Sequence, residues 1–219
     1  ILYTEKVHAR TVHIADQNGE LSVQAGAARG AAEFALRISE EENRESCQWR
    51  QQNRLSSYCV LCPGGGWRAK CWPAERFGEL CARVGNELGL RCVVNYGPGE
   101  DDLAKTVRAA SASAEPILVS SEVGTLMALL RGAKVVVGGD TGPLHLALAL
   151  GTPVVALHGP TDPARNGPYG SGGMVLRSAG ARRNHARRNA TDPSMLEIGV
   201  DAVLEAVKQQ LSARAGTRP

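Results

Sequence analysis

The sequence predicts an α/β protein with a Rossmann-like, doubly wound parallel sheet over residues 58–213. From residue 58 onward, short runs rich in valine and leucine alternate with segments of helical periodicity. Runs of this kind suit strands that are buried on both faces, and their alternation with helices is typical of parallel strands joined by right-handed crossovers. Glycine-rich and polar turns follow the strands. In such folds these turns meet at the ligand-binding edge of the sheet.

The elements follow in order along this part of the chain. The helix at 73–88 places Phe77, Leu80 and Val84 on one face, and the last helix, at 200–213, has the same apolar periodicity. The predicted strands are 58–62, 91–96, 116–119, 135–137, 153–157 and 174–177, and the other predicted helices are 100–111, 122–132 and a short one that ends at Gly151.

The segment 134–163 is the most informative part of the sequence. A valine strand leads through Gly138 and Gly139 into a helix that Thr141 is placed to cap, with Pro143 in its first turn. The amides of Thr141 and Gly142 then lie at the positive end of the helix dipole. This arrangement predicts an anion site, for which a nucleotide diphosphate is the natural occupant.

Composition excludes several classes of function. A net charge of +3 over 219 residues is too small to indicate a nucleic-acid partner, and no apolar run is long enough for a membrane span. The spacing Cys59-x-x-Cys62 resembles a metal site, but the pair lies in a predicted strand and no second pair follows at zinc-finger distance. Buried free thiols, Cys81 and Cys92 among them, are the favoured interpretation.

Three ordered motifs resemble glycosyltransferase family 9, the bacterial heptosyltransferases of the lipopolysaccharide inner core. The first is Asp-Thr-Gly-Pro-Leu-His at 140–145, continued by Gly151-x-Pro153 and by Gly-Pro-Thr-Asp-Pro at 159–163. The second is Pro-Gly-Gly-Gly-Trp-Arg-Ala-Lys-Cys-Trp-Pro at 63–73, and the third is Tyr-Gly-Pro-Gly-Glu at 96–100. The resemblance covers roughly residues 56–211.

The resemblance implies the C-terminal, donor-binding half of a two-domain GT-B enzyme. Residues 1–57, polar and without a βαβ unit, then correspond to the end of the N-terminal acceptor domain and the interdomain connection, 58–213 to the Rossmann-like domain, and 214–219 to a tail. The implied reaction is inverting transfer of a heptose from ADP-heptose to a lipopolysaccharide core or lipid A acceptor. The general base is expected in the missing domain, so no catalytic residue is assigned in this chain.

The same resemblance implies a cytoplasmic protein, peripheral at the cytoplasmic face of the inner membrane. No cofactor is expected besides the ADP-sugar substrate. No metal is expected either, because no Asp-x-Asp pair stands at a strand end, and Asp101-Asp102 is better placed to begin a helix. No nucleic-acid partner is implied. The sugar, the acceptor, the oligomeric state and activity of the chain alone stay open.

Seven residues on the predicted rim are candidates for donor binding. Lys70 would meet the phosphates, Glu100 the ribose hydroxyls and Asp140 the sugar hydroxyls, while Thr141 and Gly142 would offer amides. For Glu100 a helix-terminal acid favoured by the dipole is an equal alternative, and for Asp140 the alternative is a turn-capping aspartate. The remaining two candidates are Ser121 and His145.

The histidines keep open interpretations. His145, one turn into the short helix, either faces the diphosphate or packs against a neighbouring carbonyl, and His158 has weaker support. Neither histidine has a serine or cysteine partner in a hydrolase-like arrangement. Two rival functions remain: a UDP-sugar transferase or epimerase of the same architecture, and a non-catalytic nucleotide-binding fragment that needs a partner domain.

The segment 177–191 carries two further motifs. A basic stretch is interpreted as a solvated loop, with contact to acidic phospholipid or a phosphorylated acceptor as the alternative. Asn189-Ala190-Thr191 matches a glycosylation sequon that a cytoplasmic protein would leave unmodified. The basic residues are Arg177, Arg182, Arg183, His185, Arg187 and Arg188.

Overall fold

The computed structural model describes residues 6–30, 32–184 and 190–215, and its centre is a parallel sheet. The strands are Tyr58–Cys62 (β1), Arg91–Asn95 (β2), Ile117–Val119 (β3), Val135–Gly139 (β4), Val154–His158 (β5) and Gly173–Arg177 (β6). All five strand pairs are parallel and the order is β3-β2-β1-β4-β5-β6. This is the Rossmann order, so the predicted fold class is confirmed.

Nine helices accompany the sheet in the described residues, and the five that the sequence predicts are confirmed to within about two residues at each end. Two helices before the sheet and two short ones beyond β5 were not predicted. The helices are Ile14–Gln24 (α1), Glu40–Gln52 (α2), Ala74–Leu88 (α3), Asp101–Ala109 (α4), Val123–Gly132 (α5), Gly142–Ala149 (α6), Pro163–Asn166 (α7), Pro193–Leu196 (α8) and Val200–Ala215 (α9).

The sheet separates two hydrophobic cores. One lies beneath α3, α4 and α9, and the other beneath α2, α5 and α6. Because side chains alternate along a strand, Cys59 faces the first core and Cys62 the second. The two thiols therefore cannot hold one metal ion together. Within the described residues no three His, Cys, Asp or Glu side chains form a group suited to a metal.

Helix α2 lies over α5, on the second face of the sheet. Thr125 donates a hydrogen bond to Glu45 over 2.8 Å, Arg131 donates one to Asn43 over 2.6 Å, and Trp49 packs against the second core. The domain boundary predicted between residues 57 and 58 stays a prediction. Helix α2 bears on it, because α2 lies before this boundary and yet packs against the second core.

The segment after β5 holds the residues of the basic stretch. Arg177 ends β6 and Arg182 is exposed, whereas His185, Arg187, Arg188 and the sequon residue Asn189 lie outside the described residues. The interpretation of the stretch as a loop therefore stays a prediction. No helix in the described part of the chain is long and apolar enough to cross a bilayer.

Candidate functional site

A cavity of about 360 Å³ lies at the carboxyl ends of the strands, where β1 and β4 meet and the strand order reverses. Open α/β sheets bind their ligands at this switch point. Five of the seven predicted donor residues line the cavity, namely Lys70, Glu100, Ser121, Thr141 and Gly142.

The other two predicted residues, Asp140 and His145, line a neighbouring cavity of about 730 Å³ that shares Gly142 with the first. Lys70 connects the two cavities, because its Nζ lies 3.4 Å from Asp140 Oδ2. His145 Nε2 donates to Asp140 Oδ1 over 3.0 Å. The Asp140 carboxylate is thus held by two side chains and does not serve as a turn cap, and His145 bonds to this carboxylate, not to a backbone carbonyl.

The charge of Asp140 is stabilised within the site although the residue is only 6% exposed. Burial by itself would raise the pKa of this carboxyl. The hydrogen bond from His145 and the positive charge of Lys70 outweigh burial and lower the pKa to about 2. Asp140 is therefore ionised at neutral pH and remains an acceptor for hydrogen bonds from a ligand.

Glycines at the end of β4 allow Lys70 to approach Asp140. A Cβ atom on Gly139 would lie 2.9 Å from the backbone oxygen of Lys70, and one on Gly138 would lie 3.0 Å from the Cβ atom of Cys62. Both distances are shorter than ordinary van der Waals contact, so a side chain at Gly139 would push the turn after β1 away from β4, and one at Gly138 would push against β1 itself. Lys70 itself ends a short 3₁₀ turn, Arg68–Lys70, in that segment.

Glu100 joins the two glycine-rich loops of the cavity. Its Oε1 accepts the amide of Gly65 over 3.0 Å, and its Oε2 accepts the amide of Gly97 over 2.8 Å. Gly64 is packed so closely that a Cβ there would overlap the Glu100 carboxylate. Glu100 precedes α4 without capping it. Each carboxylate oxygen keeps a second lone pair for a ligand hydroxyl.

The start of α6 supplies backbone donors. Thr141 stands at the N-cap position, but its hydroxyl donates to the Gly139 carbonyl over 3.3 Å and makes no cap hydrogen bond. The first amides of a helix have no partner within the helix, and here they lie at its positive end beside the cavity. The helix ends as predicted: Gly151, with φ +75°, follows the C-cap, and its amide bonds to Leu148.

His158 ends β5 outside both cavities and is fully buried. Its Nδ1 lies 3.2 Å from the Thr161 hydroxyl. Burial lowers the pKa of His158 to about 4, against the opposing charge of Asp140. His158 is therefore neutral at physiological pH, next to the charged Asp140.

Sequence reasoning missed several lining residues. Asn95 and Tyr96 close the first cavity at the end of β2. Asn95 is a polar residue that ends an apolar strand, which is the signal that singled out Asp140. In the second cavity, the rings of His13 and Phe34 pack against Tyr169 at centroid distances of 4.9 and 5.9 Å. No local pattern links residues so far apart in the sequence.

Comparison with known families decides the membership. The model of "Glycosyltransferase family 9 (heptosyltransferase)" matches residues 3–195. The chain belongs to glycosyltransferase family 9. The resemblance carried by the three motifs is thereby confirmed.

Named relatives in this family are lipopolysaccharide heptosyltransferases. Heptosyltransferase 1 of Salmonella typhimurium strain LT2 is 38% identical over 142 residues, which make up 64% of this chain and 44% of the relative. Heptosyltransferase 2 of Escherichia coli K12 is 27% identical over 180 residues, 78% of this chain and 51% of the relative. The chain thus spans about half the length of these family 9 enzymes.

Solved structures show the same fold. A family 9 glycosyltransferase from Veillonella parvula has a TM-score of 0.83 at 24% identity, covering 95% of this chain and 62% of the other. The E. coli heptosyltransferase WaaC, solved with ADP, has a TM-score of 0.68 at 24% identity and covers 95% of this chain and 60% of its own. The chain therefore has the architecture of the C-terminal half of a GT-B glycosyltransferase.

Proposed function

We propose that this chain carries the nucleotide-sugar site of a heptosyltransferase that transfers heptose from ADP-heptose to a lipopolysaccharide core or lipid A acceptor. One observation carries the proposal: Lys70 lies between a cavity at the sheet switch point and the ionised Asp140 of the adjoining cavity. The named relatives are lipopolysaccharide heptosyltransferases, and one solved neighbour holds ADP.

In the proposed complex the diphosphate lies against Lys70 and the amides of Thr141 and Gly142. These donors meet the negative charge that grows on the departing ADP, and they are fixed before reaction, so they stabilise the transition state without rearrangement. Asp140 accepts hydrogen bonds from the sugar hydroxyls, with His145 orienting its carboxylate. Glu100 accepts hydrogen bonds from the ribose hydroxyls on the lone pairs that the amides of Gly65 and Gly97 leave free.

The attacking hydroxyl belongs to the acceptor, and the proposal assigns its general base to the N-terminal domain of a complete enzyme. The chemistry requires no metal or other cofactor, since Lys70 and the start of α6 supply the positive charge. The proposed reaction takes place in the cytoplasm, at the inner face of the inner membrane, where the lipid-linked acceptor would be reached.

Calorimetric titration with ADP and UDP, without added metal, tests the donor assignment. We expect saturable binding of ADP in preference to UDP. Lys70→Met should lower ADP affinity about 10- to 100-fold, because a hydrogen bond to a charged group contributes about 1.5–3 kcal/mol. Lys105→Met is the matched control, since Lys105 is an exposed lysine that pairs with Asp102 and does not line the cavity.

Preference for UDP would overturn the ADP assignment in favour of a uridine-sugar enzyme. Absence of binding by a folded chain would overturn the proposal that this chain carries the donor site. Equal affinities of the Lys70→Met and Lys105→Met variants would remove Lys70 from the phosphate site.

A further inference from the structure

His158 presents a buried ring nitrogen whose hydrogen bonding is incomplete. The residue ends β5 with none of its surface exposed, after the buried apolar run at 154–157. Its Nδ1 lies 3.2 Å from the Thr161 hydroxyl, whereas its Nε2 has no hydrogen-bond partner within the described residues. An unpartnered buried polar group costs about 1–3 kcal/mol, and a phenyl ring would fill similar space without that cost. The histidine therefore indicates a role for Nε2.

The register of the sheet places His158 beside Asp140. Gly139 of β4 pairs with Leu157 of β5 in the parallel ladder. The residues that follow them, Asp140 and His158, are therefore neighbours at the carboxyl edge of the sheet. The carboxylate and the imidazole are close enough for each to influence the pKa of the other. His158 lines neither cavity, so its effect on a ligand passes through Asp140, which lines the second.

Hydrogen bonding and charge together favour one tautomer of His158. The ring is neutral at physiological pH and therefore carries a single N–H group. When the Thr161 hydroxyl donates to Nδ1, the ring hydrogen lies on Nε2, where the charge of Asp140 attracts it. The opposite tautomer would leave the lone pair of Nε2 beside a negative charge. The Nε2–H form satisfies both neighbours.

The positive groups near the ring already have partners, and the carboxylate can accept more hydrogen bonds. Lys70 pairs with Asp140 over 3.4 Å, and Nε of Arg177 donates to the Gly159 carbonyl over 3.3 Å. His145 donates to the other oxygen of Asp140 over 3.0 Å. A carboxylate offers about four lone-pair sites, so these two donors leave others free. The carboxylate is thus an acceptor available to the Nε2–H group.

We propose that His158 is a positioning residue for Asp140, whose carboxylate its Nε2–H group holds through one ordered water molecule. A water is required because Nε2 makes no direct hydrogen bond to the carboxylate, and buried waters bridge polar groups of this kind. The inference rests on the proposed function, in which Asp140 accepts hydrogen bonds from the sugar hydroxyls. A third support fixes the lone pairs that these hydroxyls meet, so its loss weakens sugar binding and spares ADP.

The ratio of the affinities for ADP-heptose and ADP, measured by calorimetry, reports the sugar contacts alone. His158→Phe removes the Nε2 donor and should reduce the advantage of ADP-heptose about three- to tenfold, as expected for one lost hydrogen bond. His158→Gln places an amide nitrogen near the position of Nε2 and should keep the wild-type ratio. His158→Asn replaces only Nδ1 and should behave like the phenylalanine variant. A purely structural role predicts instead that asparagine, which keeps the contact with Thr161, does no worse than glutamine.

The tautomer of His158 gives a test that needs no ligand. Nitrogen-15 NMR of the full chain at neutral pH should show this imidazole in the Nε2–H form, with the signal assigned by its loss in His158→Gln. The Nδ1–H form would overturn the proposal, because Nε2 could then not donate towards the carboxylate.

Tyr58→Phe is the matched control. The Tyr58 hydroxyl is a buried polar group at the start of β1, at the opposite edge of the sheet, and it donates to the Leu129 carbonyl over 2.6 Å. Its removal should lower the urea midpoint and leave the affinity ratio unchanged. An unchanged ratio in His158→Phe would refute the positioning role while the donor site stands. If the wild-type chain binds neither nucleotide, the proposed function fails and the positioning role fails with it.

Discussion

Burial shifts the pKa values of two side chains at the ends of neighbouring strands in opposite directions, because one is an acid and the other a base. For Asp140, burial favours the neutral acid, yet His145 and Lys70 prevail and the pKa falls to about 2. For His158, burial also favours the neutral form, and the attraction of Asp140 is too weak to offset it, so the pKa falls to about 4. One neutral and one charged side chain thus lie side by side at neutral pH.

The neutral state of His158 predicts a pH dependence of stability. Its folded pKa of about 4 lies below the ordinary value of 6.5. Between these values the unfolded chain binds a proton that the folded chain does not, so the free energy of unfolding falls as pH decreases through this window. The full loss is about 3 kcal/mol, and about 2 kcal/mol of it falls between about pH 7 and about pH 5.

Urea unfolding at these two pH values measures the loss. His158→Phe should remove about 2 kcal/mol of the decrease, whereas substitution of the exposed His8 with glutamine should leave the decrease intact. The titration of Asp140 falls below about pH 4 and does not enter this window. An equal decrease in wild type and His158→Phe would mean that His158 is not the group responsible.

At the scale of elements, the site depends on how closely the loop after β1 approaches β4. The Lys70 backbone lies against Gly139, and this contact brings the lysine side chain to Asp140. Helix α6 then begins within three residues of the end of β4. A short turn between strand and helix therefore fixes both the carboxylate and the amide donors.

Gly139→Ala tests this close approach. The added Cβ would lie 2.9 Å from the backbone oxygen of Lys70, so the loop must shift. We expect the free energy of unfolding to fall by about 1–3 kcal/mol and ADP binding to weaken. Gly85→Ala in α3 is the control, because its added Cβ would lie 3.7 Å from the nearest atom, in ordinary contact. Alanine in a helix interior should raise the free energy of unfolding by up to about 1 kcal/mol. Urea midpoints and ADP titrations report both effects. Unchanged ADP affinity in Gly139→Ala would mean that Lys70 reaches its position without the glycine.

The predictability of the elements follows from their burial. Strands such as β1 and β4 are buried on both faces, so their apolar runs are visible in the sequence. Helix α1 has no buried residue and α2 only Ser46, so neither has an apolar face that predicts a helix. The signal for α2 is its capping box, in which Ser39 and Glu42 bond reciprocally.

The site was predictable where topology alone determines it. The loops after parallel strands meet at one edge, which is why Lys70, Glu100 and Ser121 were expected together. The contacts of Glu100 with two loop amides depend on the exact path of both loops and could not be predicted. The second cavity depends on Phe34 meeting Tyr169, a contact between distant segments that has no periodic signature.

At the scale of the whole molecule, the segments before β1 contribute unequally to the folded unit. Helix α1 has no buried side chain, and it meets the rest of the chain through His13, Asp16 and Tyr169. Helix α2 instead covers α5, with Trp49 and the 7%-exposed Leu55 on the second core. The sheet layer therefore extends to α2, whereas α1 forms the wall of the second cavity.

Two truncations test where the folded unit begins. A chain of residues 38–219 should unfold cooperatively with nearly the urea midpoint of the full chain, because the removed part buries little. A chain of residues 58–219 should lose about 2–5 kcal/mol, since burial contributes about 1.5–3 kcal/mol for Leu55 and a smaller share for the partly buried Trp49. Removal of α2 exposes the face of α5. Against a typical total free energy of unfolding of about 5–15 kcal/mol, the loss leaves the chain marginally stable. Equal midpoints of the two truncated chains would instead support the boundary predicted between residues 57 and 58.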